Sequence, residues 1–326
     1  MTTAIRFTLA LLLLFGAAPA PAQDSAESYP TRLIRFIVPY PPGGLTDLLA
    51  RVISEKFQAA FKQPVIVENK PGVGTLVGAE FVARSPPDGH TLIIASVATF
   101  AISPQLYPNA PIDPLKDLTP VSRVGATNFF LISSPSFPAR NVREMIEVVR
   151  KNPGKYNYAS VGSGTPHHLF MEVLKKELGL DIQHIPYKGS ANAIIDLMSG
   201  KVEMMFIDGS LAVPNIQSGK VIGLGTSMAK QTSLLSSVPP IAATVPGFDW
   251  AGWQSVAGPV GMPRTVVAKI ADVLRRFQDT QEYRDLMFKT GMEPLPPITP
   301  EQMSEFVKND RGQWAAAIKA SGAKVD

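Results

Sequence analysis

The stretch from Leu33 to Phe61 constrains this chain more than any other. It opens with Leu33-Ile34-Arg35-Phe36-Ile37-Val38, whose length and β-branched content predict a buried strand. It breaks at Pro39-Tyr40-Pro41-Pro42-Gly43-Gly44 and restarts at about Thr46 as an amphipathic helix. Leu48, Leu49, Val52, Ile53, Phe57 and Phe61 fall on one face of that helix. Asp47, Arg51, Glu55, Lys56 and Lys62 take the other. Thr46 is the expected N-cap, and Asp47 suits the positive end of the helix dipole. The two glycines have no Cβ, so a ligand can come close to the backbone there. Strand, glycine turn and exposed helix N-terminus together suit an anion. A plain connecting loop would look the same, and this stretch alone leaves both readings open.

With 326 residues the chain has room for two domains and a sizeable core. Hydrophobic residues make up 45% and charged residues 18%, a globular balance. The net charge is +4 and its lysines and arginines are scattered among acids, so no nucleic-acid surface is expected. Cysteine is absent, which excludes disulfides, thiolate metal sites, a cysteine nucleophile and a lipidated cysteine anchor.

Residues 1 to 22 read as a secretory signal. Arg6 supplies the basic start, Phe7 to Ala18 the apolar core, and Ala20-Pro21-Ala22 a small-residue cleavage site before Gln23. The apolar run of about 12 residues is short of the ~20 needed to span a bilayer. The expected mature protein is therefore soluble in the periplasm, cleaved after Ala22.

Strand and helix then alternate, which predicts parallel sheets covered by helices. Val65-Ile66-Val67-Glu68 is a strand, Asn69 to Gly74 a glycine loop, Thr75 to about Arg84 a helix, and Thr91 to Ser96 another strand. Gly72-x-Gly74-x-x-x-Gly78 is one residue off a dinucleotide fingerprint, and nucleotide binding is not expected. Tyr107 to Asp117 is proline-rich and shows no helical period. Tyr156 to Ser160, Gly162-Ser163-Gly164-Thr165 and a helix from Pro166 to Leu178 repeat the opening device. There Thr165 is the N-cap, Pro166 the first helical residue and Gly179 the stop. Further units follow: Ile182 to Pro186, a helix capped by Ser190, Val202 to Ile207 broken by Asp208-Gly209-Ser210, and Val221 to Thr226. Strand Trp253 to Ala257 and helices after Pro263, Gln281 and Pro300 complete the chain.

These motifs carry a family resemblance. Ile37-Val38-Pro39-Tyr40-Pro41-Pro42-Gly43-Gly44, Pro64-Val65-Ile66-Val67-Glu68-Asn69-Lys70-Pro71-Gly72, Pro87-Asp88-Gly89-His90-Thr91-Leu92, Tyr158 to Thr165 with His168, and Pro186-Tyr187-Lys188-Gly189 occur in the order typical of one family. From about Tyr29 onward the chain resembles the Bug, or TctC-type, extracytoplasmic solute receptors of tripartite tricarboxylate transporters. The resemblance implies a type II periplasmic-binding-protein fold, with two α/β lobes flanking a ligand cleft and the chain crossing between them twice. Residues 29–127 plus 252–326 are expected in one lobe and 128–251 in the other. The resemblance also implies a carboxylate held by loops at strand ends. Carried onto this sequence, those loops offer Tyr40, Gly43, Gly44, Leu45, Thr46, Gly74, Ser96 and Val97 from the first lobe. From the second they offer Gly162, Ser163, Gly164, Thr165, His168, Tyr187 and Asp208. Implied partners are a small organic acid (mono-, di- or aromatic) and the large and small membrane subunits of such a transporter, or a sensor kinase, with the receptor itself a monomer. Tyr40-Pro41 and Asp208-Gly209 depart from the family's commoner Phe-Ala and Asp-Asn, so no member's ligand carries over.

The residue chemistry agrees with a binding role. Helix N-termini at Thr46 and Thr165 each bring partial positive charge and free N–H donors, so two facing termini suit a dicarboxylate or an acid with a polar far end. Thr46, Ser163 and Thr165 add hydroxyls, and Tyr40 a floor or a stacking face. His168 and Glu172 stand at i, i+4, but a third ligand at metal spacing is missing, so neither metal nor other cofactor is expected. Ser163 lacks the G-x-S-x-G elbow of a hydrolase nucleophile. Lys188 is expected in solvent or bridging the lobes. A secreted α/β hydrolase is the alternative class, and the lack of a nucleophile–base–orienter set speaks against it.

Overall fold

The computed structural model describes residues 28–107, 109–232 and 234–321. The proposed signal segment and its cleavage after Ala22 lie outside the described residues. In chain order the first half runs β1 (Ile34–Val38), α1 (Leu45–Phe61), β2 (Val65–Asn69), α2 (Leu76–Ala83) and β3 (Thr91–Ser96). The π-turn Ala98–Ile102, α3 (Ser103–Leu106), α4 (Pro114–Asp117) and β4 (Leu118–Thr127) follow. Then come β5 (Phe129–Ser133), α5 (Val142–Arg150), β6 (Asn157–Ser160), α6 (Pro166–Leu178), β7 (Gln183–Pro186), α7 (Ser190–Met198), β8 (Met204–Asp208), α8 (Gly209–Gln217) and β9 (Ile222–Thr226). The last part holds β10 (Gly252–Pro259), α9 (Arg264–Gln278), α10 (Gln281–Thr290), β11 (Met292–Glu293) and α11 (Pro300–Ser321).

Two sheets result, ordered β11-β4-β10-β3-β1-β2 and β7-β6-β8-β5-β9. Their composition corrects the parallel-sheet expectation. β1 pairs β2 and β3 in parallel, and β6 pairs β7 and β8 in parallel. β10, however, runs antiparallel to both β3 and β4, and β5 antiparallel to both β8 and β9. These are the strands by which the chain enters a sheet from the other one, so no crossover helix fixes their direction. The chain leaves the first sheet between Thr127 and Phe129 and returns to it between Thr226 and Gly252. Ser227 ties the two crossings together: its N–H donates to Phe129 O at 2.8 Å, its Oγ accepts from Phe129 N at 3.0 Å, and its carbonyl accepts from Trp250 N at 2.9 Å.

The opening unit folds as its pattern dictates, with instructive exceptions. Ile34, Phe36, Ile37 and Val38 are buried, as are Leu49, Ile53 and Phe57 of α1. Leu48 is exposed, and the helix begins at Leu45 with Gly44 as N-cap, so Thr46 is not the cap. Asp47 is buried rather than on the polar face. It accepts from Gly43 N at 3.2 Å, Asn69 Nδ2 at 3.0 Å and the Arg51 guanidinium at 3.0 and 3.1 Å, pinning turn, strand and helix together. Burial alone would raise its pKa, but the bonds from Arg51, Asn69 and Gly43 hold it below the ordinary carboxyl value.

Helix α11 joins the two halves. Met303, Val307, Trp314 and Ala317 share one buried cluster with Leu169, Phe170 and Leu174 of α6. The Trp314 ring lies 5.7 Å from Phe170 and 5.1 Å from Trp250. Among the described residues no helix is long and apolar enough to cross a membrane.

Candidate functional site

A narrow cavity of about 40 Å³ lies between the sheets, where helix starts from both halves converge. It holds roughly three waters, or the head of a small acid. From the first half come Gly44, Leu45 and Thr46 at the start of α1, with Tyr40, Ser96 and Val97. From the second come Pro166 and His167 at the start of α6, Gly189 and Ser190 at the start of α7, and Asp208, the N-cap of α8. Thr127, Phe129 and residues 252–254 form the wall next to the crossings. A groove of about 580 Å³ adjoins it and shares Tyr40, Pro41 and Val161 with it. That groove takes Gly74, Gly162, Ser163, Thr165, Tyr187 and Lys188.

The structure therefore divides the sequence-derived residues. Tyr40, Gly44, Leu45, Thr46, Ser96, Val97 and Asp208 line the cavity, while Gly74, Gly162, Ser163, Thr165 and Tyr187 line the groove. Gly43, Gly164 and His168 line neither. Gly43 supplies the left-handed turn (φ 92) that lets Gly44 enter α1 with an ordinary φ of −94. The Gly164 N–H donates to His168 Nδ1 at 3.3 Å, and its carbonyl accepts from Ser103 Oγ at 3.2 Å, so neither group faces the cavity. His168 stacks on His184 at 4.3 Å, and His184 Nε2 lies 2.7 Å from Ser160 Oγ. This pair supports the Ser160–Gly164 loop from behind. Burial drives the His168 pKa down to about 4, which keeps the ring neutral and able to accept from Gly164. Glu172 bonds Tyr158 Oη and Lys175 Nζ, each at 2.6 Å.

No side chain caps the starts of α1, α6 or α7. At α1 and α7 the first-turn N–H groups have no intrahelical partner and carry partial positive charge, whereas in α6 the His168 N–H already donates to Thr165 O at 3.1 Å. Pro166 brings no N–H, so the donors come chiefly from Gly44 to Thr46 and from Gly189 to Ser190. Tyr40 Oη is 3.1 Å from Ser96 Oγ. Burial, with the Asp208 charge adding to it, pushes the Tyr40 pKa up to about 12, so the phenol stays a neutral hydrogen-bonding group.

Sequence reasoning missed Ser190, Thr127, Trp253 and Gln254 as cavity walls, and named His168 where its neighbour His167 lines the cavity. The doubled histidine at 167–168 was the one available signal. Which of the two meets the cavity depends on how α6 enters from its loop. The β4 and β10 residues reach the site through antiparallel pairing of distant segments, such as Gln254 with Ser96.

The model of the tripartite tricarboxylate transporter family receptor matches residues 49–323. The chain belongs to this receptor family. Protein BugT of Bordetella pertussis is 31% identical over 97% of this chain and 98% of its own length. Two solved receptor structures from Rhodopseudomonas palustris superpose closely. Rpa4515 with adipate gives a TM-score of 0.88 at 30% identity, covering 91% of this chain and all of that one. MatC with bound malate gives 0.84 at 28%, covering 89% of this chain and all of that one. Members of this family are solute-binding receptors, and this receptor shares their two-sheet α/β fold.

Proposed function

We propose that this receptor captures a small organic acid in the periplasm, without turning it over, for the large and small membrane subunits of a tripartite tricarboxylate-type transporter. The observation that carries the reading is the meeting of α1 and α7. Their uncapped N-termini come from different sheets and line one cavity. Such termini hold a carboxylate through backbone N–H groups without a fixed cationic side chain. The acids in the related Rpa4515 and MatC structures, adipate and malate, support that class. In this reading the strands of the two sheets belong to two lobes, residues 29–127 with 252–326 and residues 128–251, which close on the acid. The adjoining groove takes the rest of a longer acid.

A thermal-shift screen over mono-, di-, tri- and aromatic carboxylates tests the reading. An acid at 100 times its Kd is expected to add roughly 2.7 kcal/mol of stability. Failure of every acid class to shift the melt, or consumption of a hit at catalytic rates, would overturn it.

A further inference from the structure

His167, Thr127 and Gln254 line the cavity, and four of their polar atoms, His167 Nδ1 and Nε2, Thr127 Oγ1 and Gln254 Oε1, are buried without a hydrogen-bond partner. They come from three separate elements, α6, β4 and β10. Thr127 is 1% exposed, His167 and Gln254 7%. A buried polar group left unpaired is costly. Three such residues around one void describe a subsite shaped for a polar group.

Their chemistry specifies what that group must be. Asp208 also lines the cavity and is 5% exposed. Its Oδ1 accepts from Ser210 Oγ, while Oδ2 stands 3.9 Å from His167 Nε2, too far for a hydrogen bond. The Asp208 carboxylate and Gln254 Oε1 only accept. Thr127 donates one hydrogen and accepts, and a neutral imidazole offers one donor and one acceptor. The Gln254 amide also carries N–H donors, so Asp208 is the one of the four with acceptors and no hydrogen of its own. A second carboxylate placed here would face the Asp208 charge and be repelled by it. A hydroxyl or ammonium group, in contrast, offers a hydrogen that the Asp208 carboxylate or Gln254 Oε1 can accept.

We infer that His167, Asp208, Thr127 and Gln254 form a donor-recognising subsite. Through it this receptor selects short acids carrying a hydroxyl or ammonium group over plain acids of the same skeleton. The inference rests on the reading of the cavity as an acid site, with the carboxylate at the α1 and α7 termini and the donor group at the Asp208 end. The Phe129 ring, whose centroid lies 5.0 Å from that of His167 and nearly perpendicular to it, fixes the imidazole plane, so the selection is built in rather than induced.

Calorimetry on two matched four- and five-carbon sets tests it: succinate, malate and aspartate, then glutarate, 2-hydroxyglutarate and glutamate. In at least one set a donor-bearing acid is expected to bind tenfold or more tighter than the plain diacid. Malate against aspartate tells hydroxyl from ammonium. Asp208→Asn should bring the ratio to within threefold of one, and His167→Leu should reduce it. Melting curves check that both variants fold, and either one suffices for the comparison. A plain diacid that binds as tightly as both its partners overturns the inference and leaves the acid reading standing. So does a folded Asp208→Asn that keeps the ratio. Silence of all six acids also overturns the inference, and the wider carboxylate screen then decides the acid reading separately.

Discussion

Gly44 and Ser190 meet across the cavity from opposite sheets: a Cβ built on Gly44 would stand 3.2 Å from Ser190 Oγ. Nearby, a Cβ on Gly189 would stand 3.0 Å from Pro41 Cγ. Gly209 and Gly291 approach as tightly elsewhere between the halves, with 2.5 Å between the position of such a Cβ on Gly209 and Gly291 Cα. At these glycines the halves come so close that a side chain on one would meet the other.

Gly44→Val places a branched side chain against Ser190. Because φ at Gly44 is −94, valine adopts the backbone without strain, and stability should stay within about 1 kcal/mol of the parent. Acid affinity should fall at least tenfold. Gly43→Ala makes the converse case. Its φ of 92 disfavours a Cβ although nothing lies within 4 Å, so it should cost about 1 kcal/mol of stability. Calorimetry and urea melts on both variants separate the effects, and normal binding by Gly44→Val would remove this cavity as the acid site.

Lys188 lines the outer groove rather than the cavity. Lys188→Ala should therefore weaken acid binding by about fivefold at most, and less at high salt, as an exposed charge does. Titrations at two ionic strengths check this. Abolished binding would show that a side-chain charge, not the helix termini, holds the anion.

His168 makes stability depend on acid pH. Its folded pKa of about 4 is below the unfolded value of about 6.5, so the unfolded chain binds more protons between them. Stability is full above pH 6.5, falls as pH drops through that window, and levels off below pH 4, for a total of roughly 3 kcal/mol. Asp310, raised to about 6 by burial, acts in the opposite sense, losing stability as pH rises from about 4 to 6. The comparison is therefore the difference between the parent and His168→Asn. Urea melts from pH 7 to 4 should show that difference shrinking. A constant difference would mean that the ring titrates alike in the folded and the unfolded chain.

Trp314→Ala should destabilise by roughly 3–5 kcal/mol, because it opens a cavity between α11, Phe170 and Trp250. Trp314 carries the contact of α11 with the second half, so the loss should appear in a denaturant melt of the whole chain. A cost under 1 kcal/mol would show that α11 docks independently of this ring.

Where a segment combined a strong hydrophobic period with end signals, it was legible from the sequence. Thr165-Pro166 at the start and Gly179 at the end bound α6 as expected. Other elements lacked such signals. Ala98 to Leu106 continues the apolar content of β3 with no break, so its helical turns do not stand out. α8 begins with glycine and contains Pro214, residues that alone argue against helix. β4 includes Pro120 and bulges against β10, so its alternation is irregular.

The sequence by itself determined the units: apolar runs that must be buried, glycine turns, helix starts rich in unpaired N–H groups, and the family motifs that go with them. These are local properties, fixed by backbone sterics and by periods of two and 3.6 residues. Only the tertiary structure decided which helix starts share a cavity. It set α1 against α7, turned Gly164 toward His168, and left His167, Thr127 and Gln254 unpaired beside Asp208. Those outcomes depend on strand order, antiparallel register and the angle at which each helix leaves its loop. Such relations join residues far apart in the chain, and no local pattern encodes them.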